Sequence, residues 1–391
     1  MSIPAYFDIH AIQSLPFSNT NRDDLGAPKT VVFGGAERTR ISSQSWKRAI
    51  RHHIESTLDD KVVRTRRVVV GVAERLQARG WEQDEADLAG IQVAISAGKG
   101  ISLKQEKDDA DQVVLTTNVL LLLPESSIDE LADLAAEHRQ AILAEGKRAK
   151  KPTAMKPVLP TDVVDGLLSR RSGTINLFGR MLAELPGANV DGAVQMAHAF
   201  TTHATQVEYD FFTAVDDVEQ ALKLPGSGHM NTGLFSAGTF YRYANVNLTD
   251  LTENLAGDAD LARSLVAAFV DGFITRLPSG KQNATAAVTI PDLVYVCVRD
   301  DRPVSLASAF EAPVTGAHGY TALSASRLNT HAAAINTLLG EQHVLFAAHT
   351  AAPNTHRDGD TSALDGLGTH HATFSSLVED AVAAAFPGGQ A

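Results

Sequence analysis

The sequence predicts an α+β protein in which one sheet domain is interrupted by a long helical insertion. Three observations carry this. An alternating apolar segment near the start is followed by an amphipathic helix. A second strand–helix–strand run lies between residues 235 and 298. Residues 60–180 between them read as mostly helical. Strand–helix, then strand–helix–strand, is the element order of a ferredoxin-like sheet.

Ala5–Ser14 alternates, with Phe7, Ile9 and Ala11 on one face and Asp8 and His10 on the other, so one covered side is expected. A polar stretch from Asn19 through Gly26-Ala27-Pro28 to Gly34-Gly35 reads as an ordered loop. A helix opens at Ser42 or Ser43, a serine being a good N-cap, with Trp46, Ala49, Ile50 and Ile54 as its apolar stripe. Val62–Gly80 and Asp84–Ala97 are expected as helices. Ser127-Ile128-Asp129-Glu130 has the capping-box pattern of a helix reaching about Ala144. Gly146–Pro160 is expected as a mobile basic linker, and order resumes at Thr161–Leu168. Phe235–Leu248 is β-rich, Asp258–Arg276 helical, and Thr285–Val298 a strand region.

Composition narrows the function. The 391 residues carry a formal net charge of −12 and one cysteine, Cys297, which excludes a disulfide framework or a cysteine-built zinc site. Val113–Leu123, the longest apolar stretch, contains Thr116, Thr117 and Asn118 and is too short to span a bilayer. Asp8 and His10 precede any apolar run, so no signal peptide is expected and the protein is read as soluble and cytoplasmic. The negative average hides two basic islands. Residues 22–67 hold 11 Lys/Arg against 6 Asp/Glu, and residues 139–180 hold 9 against 3. Such islands attract a polyanion locally, although solvated helix faces look the same in a sequence.

No P-loop, GxGxxG, GxSxG or HExxH is present. His356-Arg357-Asp358 imitates a kinase loop but has Ala363 where the asparagine belongs. The pairs His52-His53 and His370-His371 diverge on any regular element, and His198 and His203 are read as packing residues. No cofactor or metal is therefore expected. Asp23 and Asp24 are candidates for holding a divalent cation. They equally suit a loop in which carboxylates accept local backbone amides.

The stronger signal is an order of features. Arg22 and the two aspartates are followed by Lys29, a Phe-Gly-Gly turn, and Arg38 and Arg40 on one side of an extended segment. The serine-capped helix comes next, its N-terminal amides suited to a phosphate. On that helix Gln44, Lys47, Arg48 and Arg51 fall within about 100° of one another. Such a cluster neutralises successive phosphates without reading bases.

Asn21-Arg22-Asp23-Asp24, Phe33-Gly34-Gly35 and Arg40–Arg48 (RISSQSWKR) resemble the CasC-type backbone subunit of the type I-E CRISPR surveillance complex, Cascade. Gly179-Arg180-Met181, Ala197-His198-Ala199, Phe212–Asp217 (FTAVDD) and Phe240–Asn245 (FYRYAN) match in the same order. The resemblance is dense over about 1–55 and 178–250 and thin in the insertion and past 315.

It implies an RRM-like (ferredoxin-like) palm, a helical fingers insertion and a β-hairpin thumb. Residues 1–60 would begin the palm, 61–180 form the fingers, 181–204 return to the palm, 205–235 form the thumb, and 236–391 complete the palm with C-terminal helices. Copies would polymerise along a CRISPR guide RNA beside other Cascade subunits, displacing one nucleotide at regular intervals and leaving the rest to pair with target DNA. Arg22, Lys29, Ser42, Gln44, Lys47 and Arg51 would grip the guide backbone, with Arg180 beside Met181, the wedge at the kinked nucleotide. Phe211, at a position where close relatives carry tryptophan, and Phe212 would lie near the displaced base. Lys147, Arg148, Lys150 and Lys151 would take the target-strand role of a lysine-rich finger helix that this chain does not match residue for residue. The alternative is a metal-dependent RNA nuclease using Asp23 or Asp24, as in wider relatives that cut RNA with a loop aspartate.

Overall fold

The computed structural model describes residues 4–98, 100–107, 111, 113–149, 151–185, 187–214, 229–355 and 361–388. They form two compact units. The sheet unit comprises Met1–His53, Val194–Glu253 and Gly257–Ala391, and the mainly helical unit Ile54–Ala193 with Asn254–Ala256. The mixed α+β class is as the sequence predicts.

In the sheet unit, ten strands among the described residues share one sheet. At its centre β1 (Tyr6–Ser18) lies antiparallel between Leu293–Arg299 and the long strand His229–Asn247, with Ile9 opposite Val296 on one side and Ala244 on the other. Val194–Met196 and Ala199–Thr201 pair antiparallel with the far side of the long strand. The sheet is extended at one edge by β2 (Thr30–Phe33) and β3 (Ala36–Ile41), and at the other by Val344–Ala351 and Thr369–His370. Helix α1 (Ser43–Thr57) comes directly after β3, and the helix Ala259–Thr275 links the long strand to Leu293–Arg299. Asp258 caps the latter by accepting from the Leu261 amide at 2.9 Å.

Both faces of the sheet are covered, contrary to the one-sided strand expected for β1. Phe7, Ile9 and Ala11 are buried, but so are Asp8 and His10, each 1% exposed. The reason lies about 300 residues away. Leu306, Phe310 and the helix Thr321–Leu339 pack over Ile12, Tyr241, Tyr243 and Tyr295. The buried polar groups are answered in kind, as burial demands. Asp8 accepts from Tyr243 Oη at 2.8 Å, Asn245 Nδ2 at 2.9 Å and the Val304 amide at 3.0 Å. His10 Nδ1 lies 2.9 Å from Tyr241 Oη. Burial pushes the Asp8 carboxyl up to about 7 and the His10 imidazole down to about 3.

The helical unit packs Val72, Leu76, Ala89, Leu121 and Leu131 into its core. It departs from expectation at four places. Val62–Thr65 is a strand paired with Leu121–Pro124, and helix begins only at Val68. A second strand pair joins Leu103–Lys107 to Val113–Thr117. Most of these strand residues are β-branched or leucine, and a short apolar run does not by itself separate strand from buried helix. Ser127 caps nothing. Helix starts at Glu125 after Pro124, and Ser127 is buried within it. The expected mobile linker after Gly146 begins as helix, because Lys147 and Arg148 complete Arg139–Arg148. Glu145 fastens the segment after that helix, accepting from Arg148 Nε at 2.6 Å and from the Lys156 amide at 2.5 Å.

Candidate nucleic-acid interface

The basic features near the N-terminus converge around the start of α1. The loop Asn19–Lys29 is held there by side chains. Asn21 Oδ1 accepts from the Ser42 amide at 2.8 Å, the Lys29 amide closes the loop on the Asn21 carbonyl at 3.1 Å, and the Arg40 amide of β3 donates to the Lys29 carbonyl at 2.7 Å. The β2–β3 turn needs Gly34 and Gly35, both at positive φ. A Cβ on Gly34 would stand 1.7 Å from the Glu311 carbonyl oxygen. On α1 the apolar stripe holds, since Trp46 and Ile50 are buried, and Gln44 and Arg48 are exposed. Lys47 and Arg51 are half-buried. The Lys47 ammonium donates to the Val194 carbonyl at 3.3 Å, and burial lowers its pKa.

Three amides at the start of α1 are already engaged. Ser42 N donates to Asn21, Ser43 N donates to His198 Nδ1 at 3.2 Å, and Ser45 N lies 3.4 Å from the Ser42 hydroxyl. The helix N-terminus therefore stabilises its own loop instead of offering those amides to a phosphate. Cationic side chains are left to do that work. Arg22 is exposed at the loop, and Lys29 and Arg40 lie close enough to His198 for both charges to lower its pKa, after the larger effect of desolvation.

Arg38 is a correction. It is fully buried, and its guanidinium donates to the Thr201 carbonyl at 2.8 Å, Phe310 at 3.2 Å and Glu311 at 3.1 Å. Arg180 is a second one. In the helical unit it is 5% exposed and bonded to the carbonyls of Ala188 (2.8 Å), Leu122 (3.0 Å), Arg170 (2.8 Å) and Ser169 (2.5 Å). Neither guanidinium is on the surface. Met181, next in sequence, is 89% exposed.

Asp23 is a loop carboxylate. Its Oδ1 accepts from the Leu25 and Ala27 amides, both at 2.9 Å. Asp24 is exposed. Both line a cleft of about 720 Å³ with Arg22, Arg48, His52 and Arg276, the last donating from Nε to His53 Nδ1 at 3.1 Å. Arg276 was not anticipated, because only the fold brings the end of its helix to this loop.

Glu208–Ala214 pairs with the outer half of the long strand, Phe211 opposite Thr232 and Phe212 opposite Asn231. Tyr209, Phe211, Phe212 and Met230 are all exposed. Successive strand residues face opposite ways, so Phe211 and Phe212 lie on different faces of this ribbon. Residues 215–228, most of the expected thumb tip, lie outside the described residues, as do Lys150 and His356-Arg357-Asp358. Of the remaining finger candidates, Lys147 and Lys151 are exposed, while Arg148 is ion-paired to Glu145, whose carboxyl it holds at about 2 with help from the Lys156 amide. His203 packs as expected, stacked on Tyr320 at 3.7 Å, and Cys297 is buried. Among the described residues no helix is long and apolar enough to cross a membrane.

Comparison with known proteins places the chain among Cas proteins. It is similar to a subunit in a structure described as a CRISPR RNA-guided surveillance complex, pre-nicking, with 51% identity over 97% of this chain and 100% of that one, and a TM-score of 0.88. A second subunit, from a CRISPR RNA-guided surveillance complex, shares 44% identity over 97% and 99% of the two chains, with a TM-score of 0.79. No curated protein matches. The profile of the CT1975-like protein family matches residues 7–379, and the chain belongs to that family of Cas proteins.

Proposed function

We propose that this chain is the guide-RNA-binding backbone subunit of a type I-E Cascade complex. In this reading it polymerises along CRISPR RNA in the cytoplasm, kinks it at regular intervals, and presents it for pairing with target DNA. One observation carries the proposal: cationic side chains gather around α1, in a chain alike over almost its whole length to subunits of RNA-guided complexes. Arg22, Lys29, Arg40, Gln44, Lys47, Arg48 and Arg51 are the proposed backbone contacts. A guide of any spacer sequence must be held, and side chains that meet phosphates carry no sequence information.

The interleaved strand order, with its two crossing helices, supports reading the sheet unit as an RRM-like palm. An RRM presents aromatic residues of its open sheet face to bases. Here Tyr241, Tyr243 and Tyr295 lie beneath Leu306 and Phe310, so the proposed RNA path runs along the α1 side instead. The helical unit is the proposed fingers, with Lys147 and Lys151 toward target DNA. The ribbon from Glu208 is the proposed thumb, and exposed Met181 the wedge. We assign no cutting role to Asp23 or Asp24, because the Asp23 carboxylate is turned to its own loop amides.

The test is co-expression with a CRISPR array. The purified protein is expected to retain RNA of discrete length, and Lys47→Gln with Arg51→Gln to lose it whatever the spacer. Retention of heterogeneous cellular RNA, or guide-directed RNA cleavage that stops in Asp23→Ala or Asp24→Ala, counts against the proposal.

A further inference from the structure

Between Arg40 and the first turn of α1 stands a histidine with no part in the phosphate contacts proposed so far. His198 lies just beyond the short strand Val194–Met196 and is exposed. Its Nδ1 receives two groups that can only donate: Arg40 Nη1 at 3.0 Å and the Ser43 amide at 3.2 Å. A ring nitrogen accepting two hydrogen bonds carries no proton, so the ring proton is on Nε2. No described residue bonds Nε2. Desolvation, Arg40 and Lys29 all disfavour a second proton.

The consequence falls on Arg40. A long side chain on a surface strand loses rotamer freedom when it grips a phosphate. Fixing it beforehand lowers that cost. One nitrogen of the guanidinium is tied through His198 to the α1 amide, and its other N–H groups remain to meet an anion. Lysine does not reproduce this, because the fork holds its partner and its ligand in one plane.

We propose that His198 is a positioning residue of the RNA surface, a neutral Nε2–H imidazole whose Nδ1 holds the Arg40 guanidinium against the N-terminus of α1 for contact with a guide phosphate. This rests on the proposed RNA-binding function and adds to it a residue and a protonation state. His198→Asn and His198→Gln separate the roles of the two ring nitrogens. Asparagine places an acceptor close to Nδ1 and has nothing at Nε2, whereas glutamine reaches the Nε2 position and leaves Nδ1 empty.

The experiment measures binding of a mixed-sequence single-stranded RNA to the full chain by fluorescence anisotropy at several salt concentrations. Arg40→Gln is compared in the wild-type, His198→Asn and His198→Gln backgrounds. In wild type and His198→Asn, Arg40→Gln is expected to weaken binding on the order of tenfold and to lower the salt slope by about 0.7. In His198→Gln the same change is expected to cost less than about threefold, because Arg40 is no longer held there. Lys47→Gln is the reference and should cost the same in all three backgrounds. Long-range nitrogen–proton NMR of the wild type, which needs no variant, is expected to show Nδ1 unprotonated. Equal Arg40 effects in the asparagine and glutamine backgrounds, or a proton on Nδ1, overturn the inference and leave the RNA-binding function intact. Wild-type protein that binds no RNA, or Lys47→Gln without effect, overturns that function and the inference with it.

Discussion

Two short segments, one in each compact unit, dispose of neighbouring residues in opposite ways. In β3 of the sheet unit, Arg38 is buried against three carbonyls, while Arg40 reaches the surface and binds His198. In the turn after Gly179 of the helical unit, Arg180 is buried against four carbonyls, while Met181 is 89% exposed. Hydropathy predicts the reverse for the second pair. The guanidinium is the one cationic group that can gather several diverging carbonyls at once. Each buried arginine fastens several separate backbone segments at once, and its neighbour is left to face outward. An arginine in a basic island is thus as apt to be a bolt as a contact.

That contrast sets the largest expected effect. Arg180→Ala leaves four carbonyls facing a cavity, and Arg38→Ala leaves three. Each is expected to cost about 3–5 kcal/mol of stability. Lysine should not restore either, having no fork to divide among the acceptors. Thermal unfolding with and without denaturant checks this. A loss below about 1 kcal/mol at either site would break the comparison.

Buried polar groups in the sheet unit sharpen it next. The folded state raises the Asp8 carboxyl to about 7, so the stability contributed by its protonated form is complete below about 4 and lost as pH rises through 7. It lowers His10 to about 3, so that contribution is complete above about 6.5 and lost as pH falls toward 3. Between pH 4 and 6.5 the two slopes oppose each other. Asp8→Asn removes one of them. Its stability is then expected to fall with acid by on the order of 2–3 kcal/mol over that range, while wild type stays nearly flat. Denaturant midpoints at four pH values decide it, and a flat profile in the variant would show that the two groups do not oppose each other.

Surface cations are expected to behave otherwise. Lys47→Gln leaves the apolar stripe of α1 intact and removes one long hydrogen bond to the Val194 carbonyl, so unfolding should move by no more than about 1 kcal/mol. RNA affinity should drop by about 1 kcal/mol for every sequence tried, with a salt slope smaller by about 0.7. Sequence-selective loss would argue against a phosphate contact.

One rule separates the features the sequence displayed from those it withheld. Features written in local spacing were legible: the Trp46–Ile50 stripe of α1, the helix opening at Asp258, and the strand at β1. Features set by distant cover were not. Period 2 puts Arg38 and Arg40 on one side of β3, and only distant backbone, at Thr201, Phe310 and Glu311, distinguishes them. Asp8 and His10 looked solvated for the same reason. His198 reads in the sequence as a packing residue within a matching block, and its bond to Arg40 is hidden because it depends on donors more than 150 residues earlier. The α1 amides misled in a different way. The serine cap was real, but the side chains that complete it, Asn21 and His198, also occupy the donors a phosphate would need.

The smallest expected effect is at Met181, and its smallness is the point. A methionine at 89% exposure contributes almost nothing to the core, so Met181→Ala should change stability by less than about 0.5 kcal/mol, against about 3–5 kcal/mol at Arg180 next to it. It carries no charge, so guide affinity and salt slope should barely move. If Met181 is the proposed wedge, its apolar side chain keeps one nucleotide out of the stack, as unstacking side chains do on DNA. Alanine is too short for that. The expected change is therefore in the guide itself: chemical probing of assembled complexes should show the periodic reactive nucleotides fading in Met181→Ala, while Met181→Leu, similar in volume and equally apolar, keeps them. Target-DNA pairing should weaken in step with that fading. A periodic pattern unchanged in the alanine variant would remove Met181 from the interface and leave the cations around α1 as the whole of the proposed RNA surface.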